Sequence, residues 1–314
     1  MIKKAVELFL EHRRVHGCRR KTITKYQGVL GKFENFASKQ GIKDVGRVSL
    51  PLVDSYRSQQ NIRLSPKSMH NEAVILKTFL GWCADRGYLA NNFLASQTFK
   101  RPTSEPRGGP SLEQVNQVLV HASNARMPIF AMLALTGMRA GECQHLRLED
   151  VDFAGGWIQI VSREGLETKT GDSRKVPMHP RLREILEALP RSRRTWFFSA
   201  LPSRRYPDGN HCVNMKHVNE DVIRLYRRLE ILAGKKSGGY TLHSLRSFFK
   251  TFAIHAGIPR EVVDQWQGHS SGRRPTASDA YYKLSDEDSQ QFMQRVPFGK
   301  NVPPTNPKSR RTTR

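Results

Sequence analysis

YTLHSLRSFFKTFAIHAGIPR, residues 240–260, carries a helical period and a one-sided charge pattern at the same time. Leu242, Leu245, Phe249 and Phe252 recur at the spacing that lines up one apolar face of a helix. Thr241 is suited to cap that helix and Gly257 to end it. His243, Arg246 and Lys250 share a second face, and no Asp or Glu occurs in the segment. Cations aligned beside an apolar stripe, with no local acid, are arranged to receive an external anion. His243 in the first turn adds the attraction of the helix dipole.

The flanking sequence supplies more groups of the same chemical kind. Upstream, TGMRAGE (136–142) places Arg139 just after a helix-ending Gly137, and TKTG (168–171) puts Lys169 on a turn between two apparent strands. Downstream, QWQGHSS places His269 after Gly268, at the end of a short helix begun by Pro259. TASDAYYKLSDED then brings Tyr281 and Tyr282. Each has an ordinary structural reading when taken singly. Arg139 can pair with Glu142, a turn lysine is usually solvated, Gly-His commonly ends helices, and a Tyr pair often holds one core and one half-exposed ring. Their order along the chain carries the information.

Composition says what the anion is. The 314 residues hold 52 Lys+Arg against 28 Asp+Glu, a net charge of +24 with pI near 10.3, on an otherwise ordinary 38% hydrophobic background. Such an excess implies a polyanionic partner, since each phosphate neutralised by Lys or Arg releases counterions. No apolar run reaches the roughly 20 residues of a spanning helix. Glu7 and Glu11 interrupt the apolar N-terminal stretch, which is therefore not read as a secretory signal. A nucleic acid is the expected partner, and the cytoplasm the expected setting. Cys18, Cys83, Cys143 and Cys212 are far apart and are expected to be reduced thiols. The pairs Cys143/His145 and His211/Cys212 lack the ligand spacing of a structural zinc site, so no metal is expected.

Residues 1–95 read as all-helical. Ile23, Tyr26, Leu30, Phe33 and Phe36 stripe one helix, and Ser65-Pro66 opens another that runs towards Gly87. Residues 1–100 carry 18 cations against 7 acids, the densest positive charge outside the tail, as suits a part that grips phosphates. Residues 96–110 are a proline- and glycine-containing linker. Ser111 with Gln114 makes a capping box, IFAMLAL (129–135) reads as a buried helix, and GWIQIVSR with RKVPM reads as a hairpin or three-stranded antiparallel sheet. The chain from Pro180 to about Arg295 is expected to be helical again. The tail, 299–314, is basic and expected to order only on a partner.

In sequence order, Arg139, Lys169, His243-x-x-Arg246, Gly268-His269 and Tyr281 resemble the active site of the tyrosine recombinases (phage integrases): Arg, a hairpin Lys, His-x-x-Arg, His or Trp, and Tyr. The resemblance covers residues 111–290. It implies a mainly α fold with a small antiparallel sheet, an all-helical core-binding domain (1–95), and a mixed α/β catalytic domain (111–298) closing a clamp on duplex DNA. It implies that Tyr281 attacks phosphorus to form a 3′-phosphotyrosine. Arg139 and Arg246 would hold the non-bridging oxygens, Lys169 would protonate the leaving 5′-oxygen, His243 would act as base towards the tyrosine, and His269 would donate to a phosphate oxygen. No cofactor is implied, because the bond energy is kept in the phosphotyrosine.

It further implies a tetramer on DNA, accessory DNA-bending proteins in some systems, and docking of the segment after Tyr281 on a neighbouring subunit through Phe292 and Met293. YYKLSDE matches the family's Tyr-x-His-Leu-Ser-x-Glu ending with Tyr281 first; the longer His-to-Tyr interval keeps Tyr282 open. Gln267 stands where the family usually has Leu, a change expected to act through packing. A type IB topoisomerase shares the chemistry, and a DNA-binding regulator that has lost catalysis shares the fold; both remain alternatives at this point.

Overall fold

The computed structural model describes residues 1–103, 108–168, 171–189, 195–269 and 284–298. The chain divides into two compact units, Met1–Pro106 and Arg107–Arg314. Among the described residues there are twelve α-helices and one three-stranded sheet. No helix among the described residues is long and apolar enough to cross a membrane.

The first unit is built from four helices: α1 (Ile2–Val15), α2 (Arg20–Lys39), α3 (Leu50–Asn61) and α4 (Pro66–Asp85). The stripe of α2 buries Ile23, Leu30 and Phe33 against Phe9 of α1 and Leu76, Phe79 and Leu80 of α4. Ser65 caps α4 by accepting the backbone N–H of Ser68, as Ser-Pro at a helix start favours. One carboxylate sits inside this core. Glu72 of α4 accepts from Tyr56 of α3 (3.0 Å) and from Lys32 of α2 (3.0 Å), so its burial is compensated from two neighbouring helices.

The second unit is organised around α6 (Met127–Thr136), all ten of whose residues are buried, as an apolar-all-round helix requires. It is packed by α5 (Leu112–His121), α7 (Ala140–Gln144), α8 (Pro180–Glu187) and α10 (Ser244–His255). The capping box of Ser111 and Gln114 starts α5. The sheet is antiparallel in the order β1 (Val151–Asp152), β2 (Trp157–Ile160), β3 (Arg174–Pro177). Ile158, Ile160 and Val176 face the core. The remaining helices are α9 (Met215–Arg228), α11 (Arg260–Gln267) and α12 (Asp286–Gln294).

Three sequence expectations are corrected here. Residues 195–214 are not helical. Pro202, Pro207 and Gly209 interrupt them, and they instead fold back through a bridge between Ser199 and Cys212. Thr241 does not cap α10. The backbone N–H of Leu242 is taken by Asn219 of α9, a turn from Thr241 to Ser244 intervenes, and the helix begins at Ser244 with His243 at the N-cap. Lastly, Met293 is not a free anchor for a neighbour. It is 1% exposed in its own unit's core beside Val296 and Phe298, with Phe292 packed against the same cluster. Trp266 donates to Ser289 (2.9 Å), and His179 lies 2.9 Å from the carbonyl of Val296, holding the segment in place. The tail from residue 299 lies outside the described residues.

Candidate active site

Two helix ends create the site. Helix α6 stops at Gly137, whose φ of 62° is open to glycine and whose Cβ position would fall 2.4 Å from the Phe249 ring. The chain then turns sharply, and Arg139 becomes the residue before α7. Helix α11 stops at Gly268, again left-handed at φ 61°, and the turn presents His269. Helix α10 brings Arg246 between these two ends.

Arg246 is 4% exposed. Its Nη1 donates to the Gly137 carbonyl (2.5 Å), and its Nη2 donates to the Gln267 carbonyl (2.7 Å) and lies 2.9 Å from His269 Nε2. Burial, with the positive charge of Arg139 nearby, pushes its pKa down to about 10, so it remains a cation at neutral pH. Arg139 Nη2 donates to the next carbonyl of the same turn, that of Gly268 (3.2 Å). The two guanidinium groups, distant in sequence, are thus fixed on consecutive carbonyls at the end of α11. The same turn carries His269, whose Nδ1 lies 3.1 Å from Asp264. His243 is exposed one turn before Arg246. Four of the six residues expected at the site therefore lie on adjoining elements.

Lys169 and Tyr281, like Tyr282, lie outside the described residues. Of the residues on either side of Lys169, the Thr168 hydroxyl donates to the Asp172 carbonyl (2.8 Å) and accepts from the Gly171 N–H (3.1 Å), and Gly171 has φ of 93°.

Acidic partners answer the cations, and here the sequence reading of an unneutralised face needs correction. Lys250 donates to Asp264 of α11 (2.5 Å). Glu142, whose side chain is 7% exposed, accepts from the backbone (2.7 Å) and Nη1 (2.9 Å) of Arg139, and both its oxygens accept from Arg174 at the start of β3. Burial works against the charged form of Glu142, but the hydrogen bonds from Arg174 and Arg139 outweigh it and hold its pKa below the usual carboxylate range. Arg174 also donates from Nε to the Trp266 carbonyl (2.7 Å). The result is two guanidinium groups on the Glu142 carboxylate with Arg246 beside them, a site with residual positive charge.

A model of the phage integrase family matches residues 111–287, more than half of the chain. The chain belongs to the phage integrase family. The XerC tyrosine recombinase of Oceanobacillus iheyensis is 25% identical over 261 residues, covering 80% of this chain and 82% of that protein. Two solved structures share the fold: the Tn1549 transposon integrase in complex with a circular intermediate DNA (TM-score 0.66, 17% identity, 88% of this chain and 96% of that one) and a lambda integrase dimer bound to a COC′ core site (TM-score 0.62, 14% identity, 86% and 95%).

In this family member the structure gives several residues a larger part than the sequence alone assigns them. Gln267, expected to matter only for packing, is 1% exposed and donates to the Arg246 carbonyl (3.0 Å) while its own carbonyl receives Arg246 Nη2. Glu142 does more than pair with Arg139 as its spacing predicts, because Arg174 also binds it, and Asp264 brings a second carboxylate to Lys250 and His269. The alternating strand pattern of RKVPM was the one available signal, because it makes Arg174 the first residue of β3.

Proposed function

We propose that this phage integrase family member is a site-specific recombinase that breaks and rejoins duplex DNA through Tyr281. The observation that carries the reading is the convergence of Arg139 and Arg246 on the Gly268 and Gln267 carbonyls beside His269. Two forked donors held rigidly and close together suit the two non-bridging oxygens of one phosphate, a geometry lysine cannot supply.

The Tyr281 oxygen forms a bond to phosphorus as the bond from phosphorus to the 5′-oxygen breaks. The phenol proton passes to His243, and the leaving oxygen is protonated by Lys169. The negative charge growing on the two non-bridging oxygens is met by Arg139 and Arg246, already held at the site by backbone carbonyls. Religation runs the same steps backwards. No acid competes within hydrogen-bonding distance of Arg246 among the described residues, while Arg139 is steadied by Glu142.

The basic first unit serves as a grip on phosphates, in keeping with its 18 Lys+Arg against 7 Asp+Glu over residues 1–100. Exchange between two duplexes calls for a tetramer on DNA, with accessory bending proteins where the site demands them. Tyr281→Phe tests the reading. The variant is expected to bind DNA as the wild type does and to form no covalent adduct; adduct formation by the variant overturns the assignment of Tyr281.

A further inference from the structure

We infer that Asp264 is a positioning residue that prepares His269 to take up one proton when a DNA phosphate enters the site, an inference that rests on the recombinase reading above. The starting point is the hydrogen-bond logic of the His269 ring. Asp264 Oδ1 is 3.1 Å from Nδ1, and Arg246 Nη2 is 2.9 Å from Nε2. A guanidinium only donates and a carboxylate only accepts. The proton must therefore sit on Nδ1, and Nε2 must offer its lone pair to Arg246. The ring is a neutral tautomer fixed from both sides.

The surrounding charges agree with this. Arg246 and Lys250 face the ring from α10, and Asp264 faces it from α11, with Arg260 Nε 3.5 Å behind Asp264. Arg139 lies beyond Gly268 from the turn before α7, and Arg174 approaches Gly268 from β3. Burial, then Arg246 and Lys250, hold the His269 pKa below its ordinary value against the pull of Asp264.

A neutral ring of this tautomer cannot donate to a phosphate oxygen through Nε2. A phosphate arriving at Arg246 competes for the Nη2 hydrogen that Nε2 now accepts, and it sets an oxygen anion against the imidazole lone pair. One proton from solvent on Nε2 resolves the conflict: Nδ1–H stays on Asp264 and Nε2–H donates to the phosphate, so the imidazolium lies between two anions. Asp264 has a second modulator. Lys250 shares the very oxygen that His269 uses, at 2.5 Å, and so weakens the hold of the carboxylate on the ring. Removing Asp264's charge and removing Lys250 should then act with opposite signs.

The test is the pH dependence of single-turnover adduct formation. The probe is a nicked suicide duplex carrying the site that the wild-type protein selects from a random duplex library. In the wild type the rate falls as rising pH removes the proton from His269. Asp264→Asn is expected to move that limb to lower pH by about one unit, and Lys250→Met to move it to higher pH. A merely structural loss cannot shift the two in opposite directions. Calorimetric titration of the wild type with the same duplex, in buffers of different ionisation heat, reads the uptake of about one proton without any variant. Unmoved limbs, shifts of the same sign, or binding without proton uptake overturn the inference. A wild type that selects no site, or forms no adduct at any pH, overturns the recombinase reading instead.

Discussion

Glu142 is the residue on which the cationic site depends for its stability. It is buried, it binds both Arg139 and Arg174, and removing its charge leaves two guanidinium groups facing one another. Glu142→Gln is expected to cost about 3 kcal/mol at neutral pH by chemical denaturation, as breaking a buried pair does. Its pKa is lowered in the folded protein, so its stabilising contribution is complete above the ordinary carboxylate range and is lost as the pH falls below it. The difference between variant and wild type is therefore expected to shrink on acidification; a constant difference would contradict the pairing. At this scale the basic side chains Arg139, His243, Arg246 and His269 were legible, because a local motif fixes residue type and order. Their acidic partners were less so. Lys250 meets Asp264 only because α10 packs on α11, and Glu142 meets Arg174 only because β3 lies beside α7.

Among the elements, the joint at Gly137 and the helix α12 decide how the site is held. Alanine at 137 would combine a left-handed backbone with Cβ positions 2.4 Å from the Phe249 ring and 2.6 Å from Gln267 Nε2. Gly137→Ala is expected to destabilise by about 3 kcal/mol, read as a lowered denaturation midpoint, with adduct formation reduced as Arg139 shifts. Met293→Ala is expected to cost a further measurable amount, about 3 kcal/mol, because the side chain fills the unit's own core. An unchanged stability of the isolated chain would return Met293 to the role of an anchor for a neighbour. Helix limits were legible where capping is local, as at Ser65 and Ser111. The start of α10 was not, since Asn219 of another helix occupies the N–H of Leu242. Residues 195–214 were misread because their prolines and glycine were outweighed by the helical pattern on both sides.

Over the whole molecule, a net charge of +24 is the dominant fact, and it makes DNA binding an ion-exchange reaction. Affinity is expected to fall by about a thousandfold over a fourfold rise in salt, measured by binding titrations at a series of salt concentrations. A nearly flat dependence would mean that few phosphates are contacted. The fold class was legible here because two helical periods, one buried helix and one strand pair occur in a family order. The arrangement of the acids was not, since it exists only in three dimensions. The covalent step remains the centre of the reading, and trapping the wild-type protein on a nicked suicide duplex tests it most directly. Peptide mapping of the trapped complex is expected to find DNA linked to Tyr281, with the linkage retained in Tyr282→Phe. The absence of any linked peptide, or linkage to Tyr282 instead, would contradict it.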